Sequence, residues 1–262
     1  MSSTPVQAHR ASVNGLDTYY EVQGSGKPLV MLHGAILVDL GPSVAALARD
    51  HTVITPHLQG RGHTRDIDRP FSYEAMADDV AALLEHLELS RAAILGQSMG
   101  AGVALRIAIR YPRLVDRLVL VSTVMASSGW HPKVQRQLAE MGANAAKSSV
   151  EVVNSGLGQL YPEVDWESLF RKTSQFQQER YDLTEQVRSL AVDALLVFAD
   201  EDAITPDHIV QFWKELGGGK GEAGLDGTQR TRSQLAIMAN TNHSTAANSP
   251  VFVEVVKRFM RD

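Results

Sequence analysis

Residues 92–110 read Ala92-Ala93-Ile94-Leu95-Gly96-Gln97-Ser98-Met99-Gly100-Ala101-Gly102-Val103-Ala104-Leu105-Arg106-Ile107-Ala108-Ile109-Arg110. The apolar run before Gly96 predicts a strand, and the run from Gly102 to Ala108 predicts a helix. Between them stands Gly-x-Ser-x-Gly, Gly96 to Gly100. A serine on so sharp a strand-to-helix turn carries a strained backbone, and the flanking glycines remove side chains that would collide across the bend. The strain lifts the hydroxyl clear of the sheet, where a base and a substrate can reach it. The five-residue pattern alone also fits an ordinary Gly/Ser turn. The strand before it and the helix after it favour a serine nucleophile.

The same alternation extends in both directions. Asn14-Gly15 between two apolar-patterned segments signals a hairpin, because both central positions of its turn need positive φ. Pro28–Leu32 and His51–Pro56 read as buried strands. The first ends in His33-Gly34, the second runs towards the turn Gly60-Arg61-Gly62. Ser72 caps a helix with Met76, Val80, Leu83, Leu84 and Leu87 at helical spacing. Val115–Val121 is a further strand. After Ser122 the alternation breaks, and amphipathic segments rich in Gln, Glu and Arg predict a helical cap, residues 123–190, inserted into a core of residues 1–122 and 191–262. Strands return at 194–199 and 235–238. Each is followed by a helix, the first starting at Thr205-Pro206 with a hydroxyl cap, the second at 251–259. Short strands that are apolar throughout, alternating with helices, argue for an α/β fold whose mostly parallel sheet is covered on both faces.

Composition narrows the classes. The 262 residues carry a net charge of −5 with the two signs interspersed, so no basic stripe invites nucleic acid or an anionic membrane. The chain has no cysteine, which excludes disulfides, thiolate metal sites and a cysteine nucleophile, and fits a reducing cytoplasm. Residues 1–10 lack a basic-then-apolar signal pattern, and the longest apolar run is too short to span a bilayer. The histidines show no metal-ligand spacing.

A serine needs a base at neutral pH, and the base needs a carboxylate to hold its tautomer. His243, in the polar stretch after the last strand, stands at the sheet end where Ser98 belongs. The loop Asp200-Glu201-Asp202 offers three acids. Asp202, furthest past the strand, is the preferred partner; Asp200 is the alternative and suits loop amides better, while Glu201 faces solvent. An oxyanion hole would take the Met99 amide, at the start of the helix after Ser98, and an amide of the loop His33-Gly34-Ala35-Ile36, with Ala35 preferred over Ile36. His33 reads as a structural hydrogen-bonder. His57 reads either as one that holds the Gly60–Gly62 turn or as a polar group tuning the site.

These residues resemble the α/β-hydrolase superfamily, in its bacterial small serine esterase-like branch. The resemblance runs over nearly the whole chain and rests on His33-Gly34, Leu58-Gln59-Gly60-Arg61-Gly62-His63-Thr64, Gly96–Gly100, Asp202 and His243. It implies an eight-stranded sheet, a helical cap after the sixth strand and no cofactor. Two positions depart from the pattern: the family usually has aspartate where His57 stands and often glycine where Ala35 stands.

The resulting expectation is a cytoplasmic serine hydrolase, monomer or homodimer, cleaving a small or medium apolar ester or lactone through an acyl-enzyme. Ile36, Leu37, Met99, Met125 and Trp130, with Leu160 and Tyr161, are candidates to line its pocket. The same serine also serves C–C bond hydrolases, acyltransferases, perhydrolases and amidases, and the triad does not separate these. A ligand-binding or receptor-like protein with vestigial turnover is the alternative from another class.

Overall fold

Asn14 and Gly15 take φ of 49° and 81°, as a two-residue hairpin turn requires. They join β1 (Gln7–Val13) to β2 (Leu16–Gly24) in a computed structural model that describes residues 5–36 and 38–261. There follow β3 (Lys27–Leu32), α1 (Pro42–Leu47), β4 (His51–Pro56), α2 (Tyr73–His86), β5 (Ala92–Gln97), α3 (Met99–Arg110) and β6 (Val115–Val121). Five helices come next: α4 (Pro132–Ala143), α5 (Ala145–Val153), α6 (Gly156–Leu160), α7 (Trp166–Gln177) and α8 (Thr184–Arg188). The chain then returns through β7 (Asp193–Glu201), α9 (Pro206–Glu215), β8 (Ser233–Asn242) and α10 (Pro250–Arg261).

Among the described residues the eight strands form one sheet in the order β1-β2-β4-β3-β5-β6-β7-β8. Only the pairings of β2, with β1 and with β4, are antiparallel. Side chains alternate between the faces, as the pleat dictates. Leu29, Met31, Val119 and Val121 pack with Leu47 of α1 and with Phe252 and Phe259 of α10. Val30, Leu32, Leu118 and Leu120 pack with Met76 of α2 and Val103 of α3. Burial on both faces is why these strands read as continuous apolar runs rather than alternating ones.

The parallel strands all end on one side, so the loops after β3, β5, β7 and β8 meet there. The residues between β6 and β7 bury Trp166, Phe170 and Phe176 of α7 against the same core. The Phe176 ring meets Tyr73 of α2 edge-on at 5.1 Å, and Trp130 bridges to Ile204 beyond β7. Two expectations of detail need correction. Thr205 stands at the N-cap of α9, but its hydroxyl makes no cap bond; its amide is held by the Gly129 carbonyl at 2.9 Å, and Pro206 opens the first turn. The last strand also runs further than its apolar part, because Glu201 pairs with Asn242 past a register shift. Ser72, by contrast, accepts the Ala75 amide at 3.0 Å and caps α2 as read. No helix among the described residues is long and apolar enough to cross a membrane.

Candidate active site

Ser98 sits between β5 and α3 with φ 52° and ψ −115°, a left-handed conformation that a non-glycine residue rarely holds. Its amide is tied to the Val121 carbonyl at 2.8 Å. The glycines on either side are obligatory here: a Cβ on Gly96 would strike the Gly100 carbonyl, and one on Gly100 would strike the Leu32 and His33 carbonyl oxygens. The turn is thus wedged against the ends of β3 and α3, and the side chain is presented beyond the sheet.

His243 follows directly on β8, and its Nε2 lies 2.9 Å from Ser98 Oγ. Its Nδ1 lies 2.8 Å from Asp202 Oδ1. The Asp202 side chain is 1% exposed and receives three further bonds: Ser122 Oγ (2.6 Å) and the Ala199 amide (3.0 Å) donate to Oδ2, and the Ala203 amide (2.8 Å) donates to Oδ1. Burial pushes this carboxyl up, but the hydrogen bond and charge of His243, with Ser122 and Ala199, outweigh it and hold the group below the ordinary carboxylate value. Asp200 points elsewhere. Its two oxygens accept the Asn240 and Thr241 amides at 2.8 and 2.9 Å, which fixes the bend at Asn240 (φ 56°) just before His243. Glu201 is exposed.

In the sequence Ser122 marks only the point after which the strand–helix alternation breaks. It is fully buried with φ 52°, and that strained backbone aims its hydroxyl at Asp202. Its place at the C-terminal end of β6 was the one available signal.

The loop after β3 is held from two sides. The Leu58 amide donates to His33 Nε2 at 3.0 Å, so the ring proton resides on Nδ1, 2.7 Å from the Gly34 carbonyl that accepts it. Arg61 Nε donates to the Ala35 carbonyl at 2.7 Å. Each trans peptide directs its N–H opposite its carbonyl, so the Ala35 and Ile36 amides face away from His33 and Arg61 respectively. Arg61 is fully buried. Its other donors meet Gln59 O (2.7 Å) and, across on α7, Thr173 Oγ1 (2.9 Å), and its guanidinium lies over Phe71 at 4.5 Å. No carboxylate among the described residues forms an ion pair with it, and burial lowers its pKa to about 9.

His57 accepts the His63 amide on Nδ1 at 2.9 Å, with its ring packed so tightly on Gly62 that no Cβ fits there. Burial first, then the neighbouring His63 and Arg10, lower its pKa to about 4; burial lowers that of His33 to about 3. Both rings therefore stay neutral in the folded chain where an unfolded histidine, near 6.5, takes a proton. The unfolded state binds more protons between pH 6.5 and 4, so stability falls as pH drops through that window. At about 1.4 kcal/mol per unit, the pair should cost several kcal/mol. Urea unfolding at pH 7, 6, 5 and 4 should show that slope. His57→Asn, which keeps an acceptor for the His63 amide, should flatten part of it. An unchanged slope would assign the loss to other groups.

A cleft of about 540 Å³ opens over Ser98 and His243. Gly34, Ala35 and Ile36 line it from the core, and Trp130, Val134, Leu138, Met141 and Gln177 line it from the segment between β6 and β7. Ile36 and Trp130, both candidate pocket residues, are among the lining side chains; the Trp130 ring meets that of His243 edge-on at 5.6 Å. Met125 does not line the cleft. It is fully buried in the core beneath, with its amide held by His208 Nε2 at 3.2 Å. Leu37 lies outside the described residues. Leu160 is exposed, and Tyr161 packs on the rings of His57 and His63, away from the cleft. Met99 is buried, with its amide at the first position of α3.

Residues 27–149 match a family described as "alpha/beta hydrolase fold". Over 124 residues, 47% of this chain and 43% of the relative, the chain is 35% identical to a soluble epoxide hydrolase of Corynebacterium sp. (strain C12). Over 124 residues it is also 35% identical to a 2-hydroxymuconate semialdehyde hydrolase of Pseudomonas sp. (strain CF600), covering 43% of this chain and 42% of that one. The match therefore spans less than half the length of either relative. Among solved structures, MGS-M2, an alpha/beta hydrolase enzyme from a Medee basin deep-sea metagenome library, superposes with a TM-score of 0.78 at 16% identity, over 97% of this chain and 98% of that one. That likeness is one of fold.

Proposed function

The chain belongs to the α/β-hydrolase superfamily, and from that premise we propose that it hydrolyses small to medium carboxylic esters through an acyl-enzyme on Ser98. The contact that carries this reading is the 2.9 Å approach of Ser98 Oγ to His243 Nε2, backed by Asp202 on the other ring nitrogen. In the proposed reaction His243 Nε2 takes the hydroxyl proton as Oγ attacks the ester carbonyl. Asp202 keeps the proton of Nδ1 in place and stabilises the imidazolium. The carbonyl electron pair moves onto oxygen, where the Met99 amide, reinforced by the dipole of α3, and the Ala35 or Ile36 amide would hold it. Collapse expels the alkoxide, which leaves as alcohol with the His243 proton. Water, deprotonated by the same nitrogen, then releases the acid and restores Ser98.

Two neighbouring chemistries are less well supported. Opening an epoxide with a serine would leave an ether, which the second half of this cycle cannot hydrolyse. The superfamily's epoxide hydrolases carry aspartate at that position, where the intermediate is an ester. A relative named for 2-hydroxymuconate semialdehyde acts on an acid, whereas no lysine or arginine is among the described residues lining the Ser98 cleft. A p-nitrophenyl ester panel tests the reading. An initial burst equal to the enzyme concentration followed by steady turnover supports an acyl-enzyme. A burst with no turnover on any ester would favour a binding role.

The clamp on the oxyanion loop makes Arg61 a positioning residue in this scheme. Arg61→Met would leave the Ala35 carbonyl, the Gln59 carbonyl and Thr173 Oγ1 without their donor, while removing the burden of a buried charge. The expected result is a fall in kcat of roughly tenfold or more with KM changed far less, since losing one full oxyanion donor costs about 2.7–4 kcal/mol. Arg61→Lys should recover part of kcat. A rise in KM alone, or a loss of kcat matched by global unfolding in urea, would count against the positioning role.

A further inference from the structure

The cleft over Ser98 is mostly apolar, and no lysine or arginine is among the described residues that line it. Gln97 and Gln177 are half-buried in its wall, and neither carboxamide has a hydrogen-bond partner among the described residues. Gln97 precedes Ser98 at the end of β5, and Gln177 ends α7, in the segment between β6 and β7. Asp39, the one ionisable side chain besides His243 among the described lining residues, is acidic, and its Oδ1 is held by the Gly41 amide at 2.7 Å. Lys133 and Arg136 of α4 line an adjoining outer groove that shares Val134, Gln137, Ala203, His243 and Ser244 with the cleft but does not include Ser98.

We propose that this cleft takes an uncharged ester whose otherwise apolar chain carries one neutral hydrogen-bonding group, a ketone, amide or hydroxyl. The chain would lie against Ile36, Leu138 and Met141, with the polar group between Gln97 and Gln177. The proposal rests on the ester-hydrolase reading for the chemistry, but its recognition argument is separate. A free carboxamide both donates and accepts, so it suits a neutral carbonyl or hydroxyl. A carboxylate entering the same space would lose its water without meeting a cation, and would face Asp39. An unpaired charge in an apolar site is strongly disfavoured.

Binding to the Ser98→Ala protein separates recognition from turnover. Dissociation constants for ethyl hexanoate, ethyl 5-oxohexanoate and monoethyl adipate, three chains of like length, would be measured by titration calorimetry at pH 7.5. The keto ester should bind about three- to tenfold more tightly than ethyl hexanoate, the ratio one or two added hydrogen bonds supply. Monoethyl adipate should bind at least about tenfold more weakly than ethyl hexanoate. In Gln177→Leu or Gln97→Leu, on the Ser98→Ala background, the keto-to-plain ratio should fall towards one. Equal affinity for the keto and plain esters, affinity for the adipate matching that for ethyl hexanoate, or a ratio unmoved by both glutamine variants would overturn the proposal. The expected order in a protein that turns over none of these esters when Ser98 is present would uphold the recognition and refute the hydrolysis.

Discussion

Ser98→Ala is expected to lower kcat/KM on p-nitrophenyl esters by about 10³-fold or more, with the fold intact. The size follows from how the group works. Removing the proposed nucleophile would force attack by unassisted water, leaving only the contribution of binding and of the proposed oxyanion amides. Alanine also leaves the elbow's backbone demands in place: φ of 52° at residue 98, the hydrogen bond its amide donates to the Val121 carbonyl, and the tight packing of Gly96 and Gly100. Circular dichroism and the urea midpoint should therefore stay close to those of the parent while turnover collapses. In the proposed reaction His243 and Ser98 act as one unit, so His243→Ala should cost about as much, and the double variant little more than either alone. Near-parental turnover in Ser98→Ala would refute the assignment outright.

Asp202→Asn is expected to cost about 10⁴-fold in kcat, the scale of losing the correct histidine tautomer. Here the surroundings predict an added penalty in stability. Four donors converge on the two oxygens of Asp202: His243 and the Ala203 amide on Oδ1, Ser122 and the Ala199 amide on Oδ2. A carboxamide accepts on one atom only, so whichever way it turns, its NH₂ faces a donor in a buried site. An unsatisfied buried group costs about 1–3 kcal/mol, which should appear as a lowered urea midpoint. Asp200→Asn provides the contrast. That side chain is exposed and anchors two amides of the bend before His243, so its loss should move activity by less than about tenfold. The reverse order of effects would transfer the carboxylate's role to Asp200.

The parts of this architecture that follow from local rules were legible in the chain. Asn14-Gly15 dictates a hairpin, Ser72 dictates a helix start, and Gly96–Gly100 permits a strained serine between an apolar strand and a helix. Ser98 and His243 are 145 positions apart, yet their approach could be anticipated because parallel strands end on one side of the sheet. What the chain did not announce depends on three-dimensional context. Ser122 stands at the break in the strand–helix alternation, and nothing local shows that a carboxylate from beyond β7 lies against it. Arg61 sat in a glycine-rich turn, where an arginine ordinarily reaches solvent; its burial depends on Phe71 and on Thr173, 112 positions away. Met125 was read as a pocket residue from its position after β6, but the chain turns inward there and His208 holds its amide in the core. Leu160 and Tyr161 stand in an amphipathic stretch of sequence, and only the packing around α6 leaves Leu160 exposed and sets Tyr161 against the rings of His57 and His63.

The most direct test is to map where a fluorophosphonate probe reacts. The proposed attack by an activated Ser98 predicts one phosphonyl group per chain on the peptide containing Ser98, formed in step with loss of ester hydrolysis and slowed greatly in His243→Ala. Hydrolysis that persists after the probe has reacted, or an adduct on a different serine that tracks the loss of activity, would contradict it.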